Sequence, residues 1–211
     1  MPVRRSGTSA VLKVSFPHPG NVHEPDAFVT WAGRGAVLLY ERDDERFAML
    51  LELAGATLLD VADGDEAAAI AGRLSRRLAV PAPSDLPRLR EEAGLWEEQL
   101  CKDSGQLPHP LSGSAVGAAL AAVRELGPCQ PDLLVHGDFH ATNILRAERE
   151  PWLAVDPKGY AGDPAYDAGV VIKWRSLRTL QGSELGRAVR RMLEIFADAA
   201  ELDRERVRRW A

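Results

Sequence analysis

The feature that most constrains the fold of this chain is a pair of polar segments, each entered from a short apolar run. Leu133-Leu134-Val135 leads into His136-Gly137-Asp138-Phe139-His140-Ala141-Thr142-Asn143, and Ile144-Leu145 then resumes a strand. After the turn at Ala147–Pro151, Trp152-Leu153-Ala154-Val155 pairs back and delivers Asp156-Pro157-Lys158. Runs of apolar and β-branched residues bounded by turn residues read as strands. Asp156 therefore falls at a strand end, beside residues 138 and 143. Two carboxylates and one amide on neighbouring segments are a donor set for hard-cation and proton chemistry. Mg²⁺ takes oxygen ligands and keeps few from the protein, and a hydroxyl that attacks phosphorus needs a carboxylate to orient it and receive its proton. This pattern predicts phosphoryl transfer, with Asp138 facing the hydroxyl and Asn143 with Asp156 facing the metal.

Around this centre, Ala10–Phe16 has strand composition with Lys13 inside it, and Glu24-Pro25-Asp26 opens a helix through Phe28, Val29 and Trp31. Acids in a first turn favour the positive helix end. Ala36–Tyr40 and Phe47–Leu53 read as two further strands around the charged run Glu41–Arg46, giving a small antiparallel sheet with one inserted helix. From about residue 65 helical spacing takes over: Ala67 to Leu78, stopped by Pro81 and Pro83, then Leu86–Leu100 and Ser114–Leu126. The small residues Gly113, Gly117, Ala118, Ala119, Ala121 and Ala122 would permit close helix contact. Asp163-Pro164 is a helix start, capping acid followed by proline. Helices follow through Val171, Trp174 and Leu177, through Leu185–Phe196, and from Asp203 onward.

Composition sets outer limits. With 211 residues, 45% apolar and 27% charged, the chain buries a substantial core. A net charge of -5 disfavours a broad nucleic-acid-binding face. Cys101 and Cys129 make no disulfide framework and suit a reducing cytoplasm. No run approaches the roughly 18 apolar residues of a membrane-spanning helix.

The order of these pieces resembles the aminoglycoside phosphotransferases, distant relatives of the protein kinases, and within them the streptomycin 6-kinase and hydroxyurea phosphotransferase branch. His-Gly-Asp-Phe-His-Ala-Thr-Asn at 136–143 carries the resemblance, with Trp-Leu-Ala-Val-Asp-Pro-Lys-Gly at 152–159 and Gly-Asp-Pro-Ala-Tyr-Asp at 162–167. The Asp-Pro-Lys-Gly element favours this branch. The resemblance implies an α+β, protein-kinase-like, two-lobed fold: residues 1–53 as an incomplete nucleotide-binding lobe and hinge, and 54–211 as a mainly helical catalytic and substrate-binding lobe, cut short. It implies ATP and Mg²⁺ as cofactors and a small-molecule hydroxyl acceptor of streptomycin type, with hydroxyurea as another candidate. Asp138 would be the base and Asn143 with Asp156 the metal ligands. Lys13 would meet the nucleotide phosphates with Glu24 as its partner, and Met49–Leu53, with Leu50, Leu51 and Glu52, would be the hinge whose backbone meets adenine.

His136 is expected to tie the loop backbone through both ring nitrogens, and His140 to do the same or touch substrate. Lys158 either neutralises phosphate or faces solvent from a turn. Asp163 and Asp167 are expected as cap and loop anchors, with Asp163 also a lesser candidate for a cationic acceptor; Tyr160 and Tyr166 are expected to pack. Against the relatives, the ten residues ahead of the Lys13 strand are too few for two strands and a phosphate-covering loop, and Glu205–Ala211 ends inside a helix. Two other readings stay open: a metal-dependent hydrolase with His136, Asp138 and His140 alternating on one strand face, and an inactive nucleotide-binding fragment.

Overall fold

Pairing of two apolar strands builds the smaller lobe. In the computed structural model, which describes residues 1–5, 7–61, 63–106, 111–179 and 185–211 (backbone only at 61 and 173–179), β2 (Thr8–Val14) runs antiparallel to β4 (Ala48–Glu52). Lys13 lies opposite Met49 and Val11 opposite Leu51. Directly opposed residues share a sheet face, so Lys13 stands on the face that carries the buried Met49 and Leu51. The sheet is completed by β3 (Leu39–Asp43) beside β4 and by β1 (Pro2–Arg5) beside β2, in the order β1-β2-β4-β3. The first ten residues thus supply one strand, which the sequence reading lacked; its pairing partner is β2 across a turn at Gly7 (φ +88°).

The strand expected at Ala36–Tyr40 is displaced to Leu39–Asp43. Gly35, Ala36 and Val37 are taken by another partner: Ala154 donates its N–H to the Gly35 carbonyl and accepts from Val37 N–H, at 2.8 and 3.1 Å. The charged run then continues the strand, because Arg42 bridges Asp26 (2.8 Å) and Asp44 (2.7 Å) and the chain reverses only at Phe47, φ +50°.

Helix α1 (Glu24–Trp31) covers the Lys13 face and buries Glu24, Ala27, Phe28 and Trp31. The larger lobe holds α2 (Leu58–Val61), α3 (Gly64–Leu78), α4 (Leu89–Ser104), α5 (Gly113–Leu126), α6 (Ala165–Thr179), α7 (Leu185–Ala200) and α8 (Arg204–Trp210). Caps set several of these starts: Asp63, Ser112 and Asp203 each accept a backbone N–H from the first turn. Close approach of α3 to α7 depends on Gly72, where a Cβ would stand 2.5 Å from the Phe196 carbonyl oxygen. The small-residue run of α5 behaves differently: Gly113 and Gly117 face open space, and burial falls on Ala122 and Leu126. The side chains of Trp174 and Leu177 lie outside the described residues.

Two short antiparallel ribbons carry the polar segments. β6 (Ile144–Arg146) pairs with β7 (Trp152–Ala154), as the apolar runs predict, and β5 (Leu133–Val135) pairs with β8 (Tyr160–Gly162). One hydrophobic core runs through both lobes, from Phe28, Trp31, Met49 and Leu51 to Leu78, Leu134, Phe139, Ile144, Leu153 and Phe196. Trp31 is the joint: it is buried and donates its indole N–H to the Leu78 carbonyl at 2.8 Å.

Candidate active site

Segment 136–143 leaves β5 as a loop whose shape is fixed from below. Asp167, on the first turn of α6, accepts the backbone N–H of His136 and of Gly137, both at 2.9 Å. Burial pushes its carboxyl up to about 7 against the pull of those two amides. The fully buried His136 ring lies near-parallel to Trp31 and against Phe139. Its Nε2 lies 2.8 Å from the Val155 carbonyl, and Nδ1 accepts the Asp138 N–H at 3.2 Å. A carbonyl only accepts and an amide N–H only donates, so the ring is the neutral tautomer protonated at Nε2; burial drives its pKa down to about 4. Gly137 adopts φ +79°, and a Cβ there would stand 2.8 Å from the Tyr160 ring. Glycine meets both demands.

Above this base emerge other side chains singled out in the sequence. Asn143 donates Nδ2 to the Asp138 carbonyl at 3.0 Å, and its own carbonyl accepts the Val155 N–H at 2.9 Å. Among the described residues the amide oxygen Oδ1 has no hydrogen-bond partner, and the backbone bond to Val155 brings Asn143 beside the residue that precedes Asp156. Asp138 is partly exposed, with its carboxylate 3.6 Å from His140 Nε2. The neighbouring His140, ahead of Lys158, holds the Asp138 carboxyl below the usual carboxylate range despite partial burial. His140 also contacts Thr142 Oγ1 through Nδ1. Asp156 sits in the left-handed region at φ +57°, a conformation that aspartate tolerates better than most residues.

Across the cleft, Lys13 joins the two lobes. Its Nζ lies 2.7 Å from both oxygens of Glu24 and 2.9 Å from Asp156 Oδ1. Burial pushes Glu24 up to about 7 while Lys13 pulls the other way. Burial alone would lower the Lys13 amine; Glu24 and Asp156 outweigh it and hold it above its ordinary value. Six of the residues singled out in the sequence thus fall into two contact groups, Lys13 with Glu24 and Asp156, and Asp138 with His140 and Asn143, joined through the backbone bond from Val155 N–H to the Asn143 carbonyl.

Others stand elsewhere. Asp163 is buried: Oδ1 caps Ala165 N–H at 3.0 Å, and Oδ2 takes Arg206 and the indole N–H of Trp210. These bonds and its burial make Asp163 an anchor of α8 to the start of α6. Leu50, Leu51 and Glu52 lie within β4, and the linker follows at residues 53–57, where Gly55 N–H and Ala56 carbonyl pair with Arg146. The Glu52 carboxylate accepts Leu38 N–H and pairs with Arg149 at 2.8 Å. Arg149, unnoticed in the sequence, also donates to the carbonyls of Gly33 and Ala36. A groove of about 900 Å³ borders this linker, lined by Tyr40, Glu52, Gly55, Arg146 and Arg149 among others, and includes neither Lys13 nor Asp156.

The hydrolase arrangement is overturned. Residues 136–140 form a loop and not a strand face, both His136 nitrogens are spent on backbone, and among the described residues no group of three or more His, Cys, Asp or Glu is placed to hold a metal. Cys101 and Cys129 are free and exposed, and no described helix is long and apolar enough to cross a membrane.

An antiparallel sheet with one covering helix, a lysine-glutamate pair and a loop of this kind define a protein-kinase-like fold. Solved structures agree: choline kinase LicA from Streptococcus pneumoniae superposes with a TM-score of 0.62 at 13% identity, covering 99% of this chain and 75% of that one. Aminoglycoside phosphotransferase APH(3'')-Id from Streptomyces rimosus, solved with ADP and streptomycin, gives 0.55 at 17% identity, covering 96% and 84%. The sequence model of the aminoglycoside/hydroxyurea antibiotic resistance kinases matches residues 1–211. The chain is 37% identical over 211 residues to a streptomycin 6-kinase of Streptomyces griseus, covering 99% of this chain and 69% of that protein. It is 35% identical to a hydroxyurea phosphotransferase of Kitasatospora aureofaciens, covering 99% and 60%. The chain belongs to the aminoglycoside/hydroxyurea antibiotic resistance kinase family and is a kinase-like phosphotransferase.

Proposed function

We propose that this chain moves the γ-phosphoryl group of ATP to a hydroxyl of an aminoglycoside of streptomycin type. The observation that carries the reading is the convergence at Lys13: one amine touches the helix glutamate of the small lobe and Asp156 of the large lobe, across the cleft from Asp138 and Asn143. The names of its relatives supply the acceptor class.

Each residue then has one task. Lys13, oriented by Glu24, turns to the nucleotide phosphates. Asp138 accepts a hydrogen bond from the acceptor hydroxyl and takes its proton as the oxygen bonds to phosphorus and ADP departs. An ionised carboxylate is a weak base, which suits a loose transition state in which the proton moves late. The free amide oxygen of Asn143 and the carboxylate of Asp156 are hard donors that fit Mg²⁺, and a bound Mg²⁺ would neutralise phosphate charge. His136 and Asp167 touch no reactant in this scheme; they hold Asp138 at its height above the loop.

ATP turnover with streptomycin tests the reading. Asp138→Asn is expected to lower kcat by about 10²–10⁴-fold. Equal rates for the two proteins would remove Asp138 from the role. Nucleotide-dependent thermal stabilisation with no phosphate transfer to any acceptor would favour an inactive nucleotide-binding fragment.

A further inference from the structure

Lys158 is a cation in the cleft without a carboxylate of its own: among the described residues no ion pair includes it, whereas Lys13 has two. Its backbone is rigid. Its N–H donates to the His136 carbonyl at 2.8 Å, and it is flanked by Asp156 and Gly159, both at positive φ (+57° and +69°). At Gly159 a Cβ would stand 2.8 Å from the His23 carbonyl oxygen, so this turn is packed against the small lobe. The side chain begins over the catalytic loop, its Cβ 3.2 Å from where a Cβ on Gly137 would stand.

The amine ends on the other side of the cleft. Lys158 Nζ lies 3.0 Å from where a Cβ on Gly20 would stand, under the 3-10 turn Pro19–Asn21. That turn is stiffened by its own hydrogen bonds: Gly20 N–H to His18 Nδ1 at 3.0 Å and Asn21 Nδ2 to the Phe16 carbonyl at 2.9 Å. The positive charge favours the ionised form of both Asp138 and Glu24. The side chain thus runs from beside Gly137, the neighbour of the acid assigned to the acceptor hydroxyl, to Gly20, four residues ahead of Glu24. Lysine is a compact point charge with freely turning donors, and a phosphoryl group in transit spreads its charge over three oxygens.

We propose that Lys158 is a second catalytic cation, contacting the transferred phosphoryl group in addition to Lys13, with Gly20 setting its reach from the small lobe. The inference rests on the phosphotransfer reading and extends it.

Nucleotide affinity separates the two. In an Asp138→Asn background, which slows turnover, ADP and a non-hydrolysable ATP analogue are titrated calorimetrically into protein with Lys158 or Lys158→Gln. The expected result is ADP affinity unchanged and analogue affinity about tenfold weaker, since a charge-assisted contact to the γ-phosphate is lost. With Asp138 intact, Lys158→Gln is expected to reduce kcat by about 10²-fold, the scale of one lost transition-state donor, and Lys158→Arg to restore part of it. Gly20→Ala, which crowds the amine tip and, at 3.1 Å, His18 Nδ1, is expected to reduce kcat by about threefold with ADP affinity unchanged, and it carries the test if Lys158→Gln does not fold. Equal analogue affinities with unchanged kcat would overturn the role of Lys158 and leave the phosphotransfer reading standing. Failure of the parent protein to bind either nucleotide would overturn both.

Discussion

Two pairs of aspartates, drawn from the same short stretch of chain, have opposite fates. Asp163 and Asp167 are each 2% exposed and spend their oxygens on backbone amides, Arg206 and Trp210. Asp138 and Asp156 have side chains 37% and 51% exposed and keep oxygens for the cleft. The lower pair costs desolvation and returns fixed backbone, Asp167 holding the loop at His136 and Gly137 and Asp163 tying α8 to the start of α6, while the upper pair stays open to solvent. A motif rich in acids is therefore half foundation and half working surface, and composition does not distinguish the two.

The sharpest way to break this comparison is to exchange the consequences. Asp156→Asn is expected to lower turnover by about 10²-fold or more while shifting stability by no more than about 1 kcal/mol, because its exposed pairing with Lys13 is screened. A urea-denaturation loss as large as that of a core mutation would place Asp156 with the foundation. Asp167→Ala should do the reverse in kind, costing roughly 2–5 kcal/mol because two buried N–H groups lose their acceptor. Unchanged denaturation midpoints would show the loop to be held by something else. His136 yields a pH signature of somewhat smaller size. Its ring stays neutral down to about 4 in the fold but titrates near 6.5 unfolded, so below 6.5 the unfolded chain binds the extra proton. Relative to His136→Gln, wild-type protein should lose roughly 3 kcal/mol between pH 7 and pH 4. A pH-independent difference between the two would mean the ring is not buried as a neutral base. Least affected should be Gly137→Ala, where positive φ and the Tyr160 ring together cost about 1–3 kcal/mol, read as a drop in melting temperature.

Local chemistry made much of this legible in advance. The ribbon of β6 and β7 follows from two apolar runs around a Pro-containing turn, and Asp163-Pro164 marks the approach to α6 as a capping acid and proline should. Both ring nitrogens of His136 tie the loop, as an imidazole amid backbone groups suggests. What stayed hidden depends on partners far along the chain. β8 is three residues whose strand character comes from β5, and Ala36–Val37 leaves the sheet because Ala154 competes for its hydrogen bonds. Arg149 looks like any turn arginine until the fold places four acceptors around it. The apparent helix-packing stripe of α5 fails for the opposite reason: small residues permit contact, but nothing among the described residues comes near Gly113 or Gly117.

The stitching around Arg149 has a mechanical consequence. The small lobe is fastened to the large one along Gly35–Val37, on β7, and again along Gly55–Ala56, on Arg146. The strand that receives Gly35–Val37 also runs on into Asp156, so the backbone that fastens the small lobe and the backbone that presents a carboxylate to Lys13 are one continuous segment.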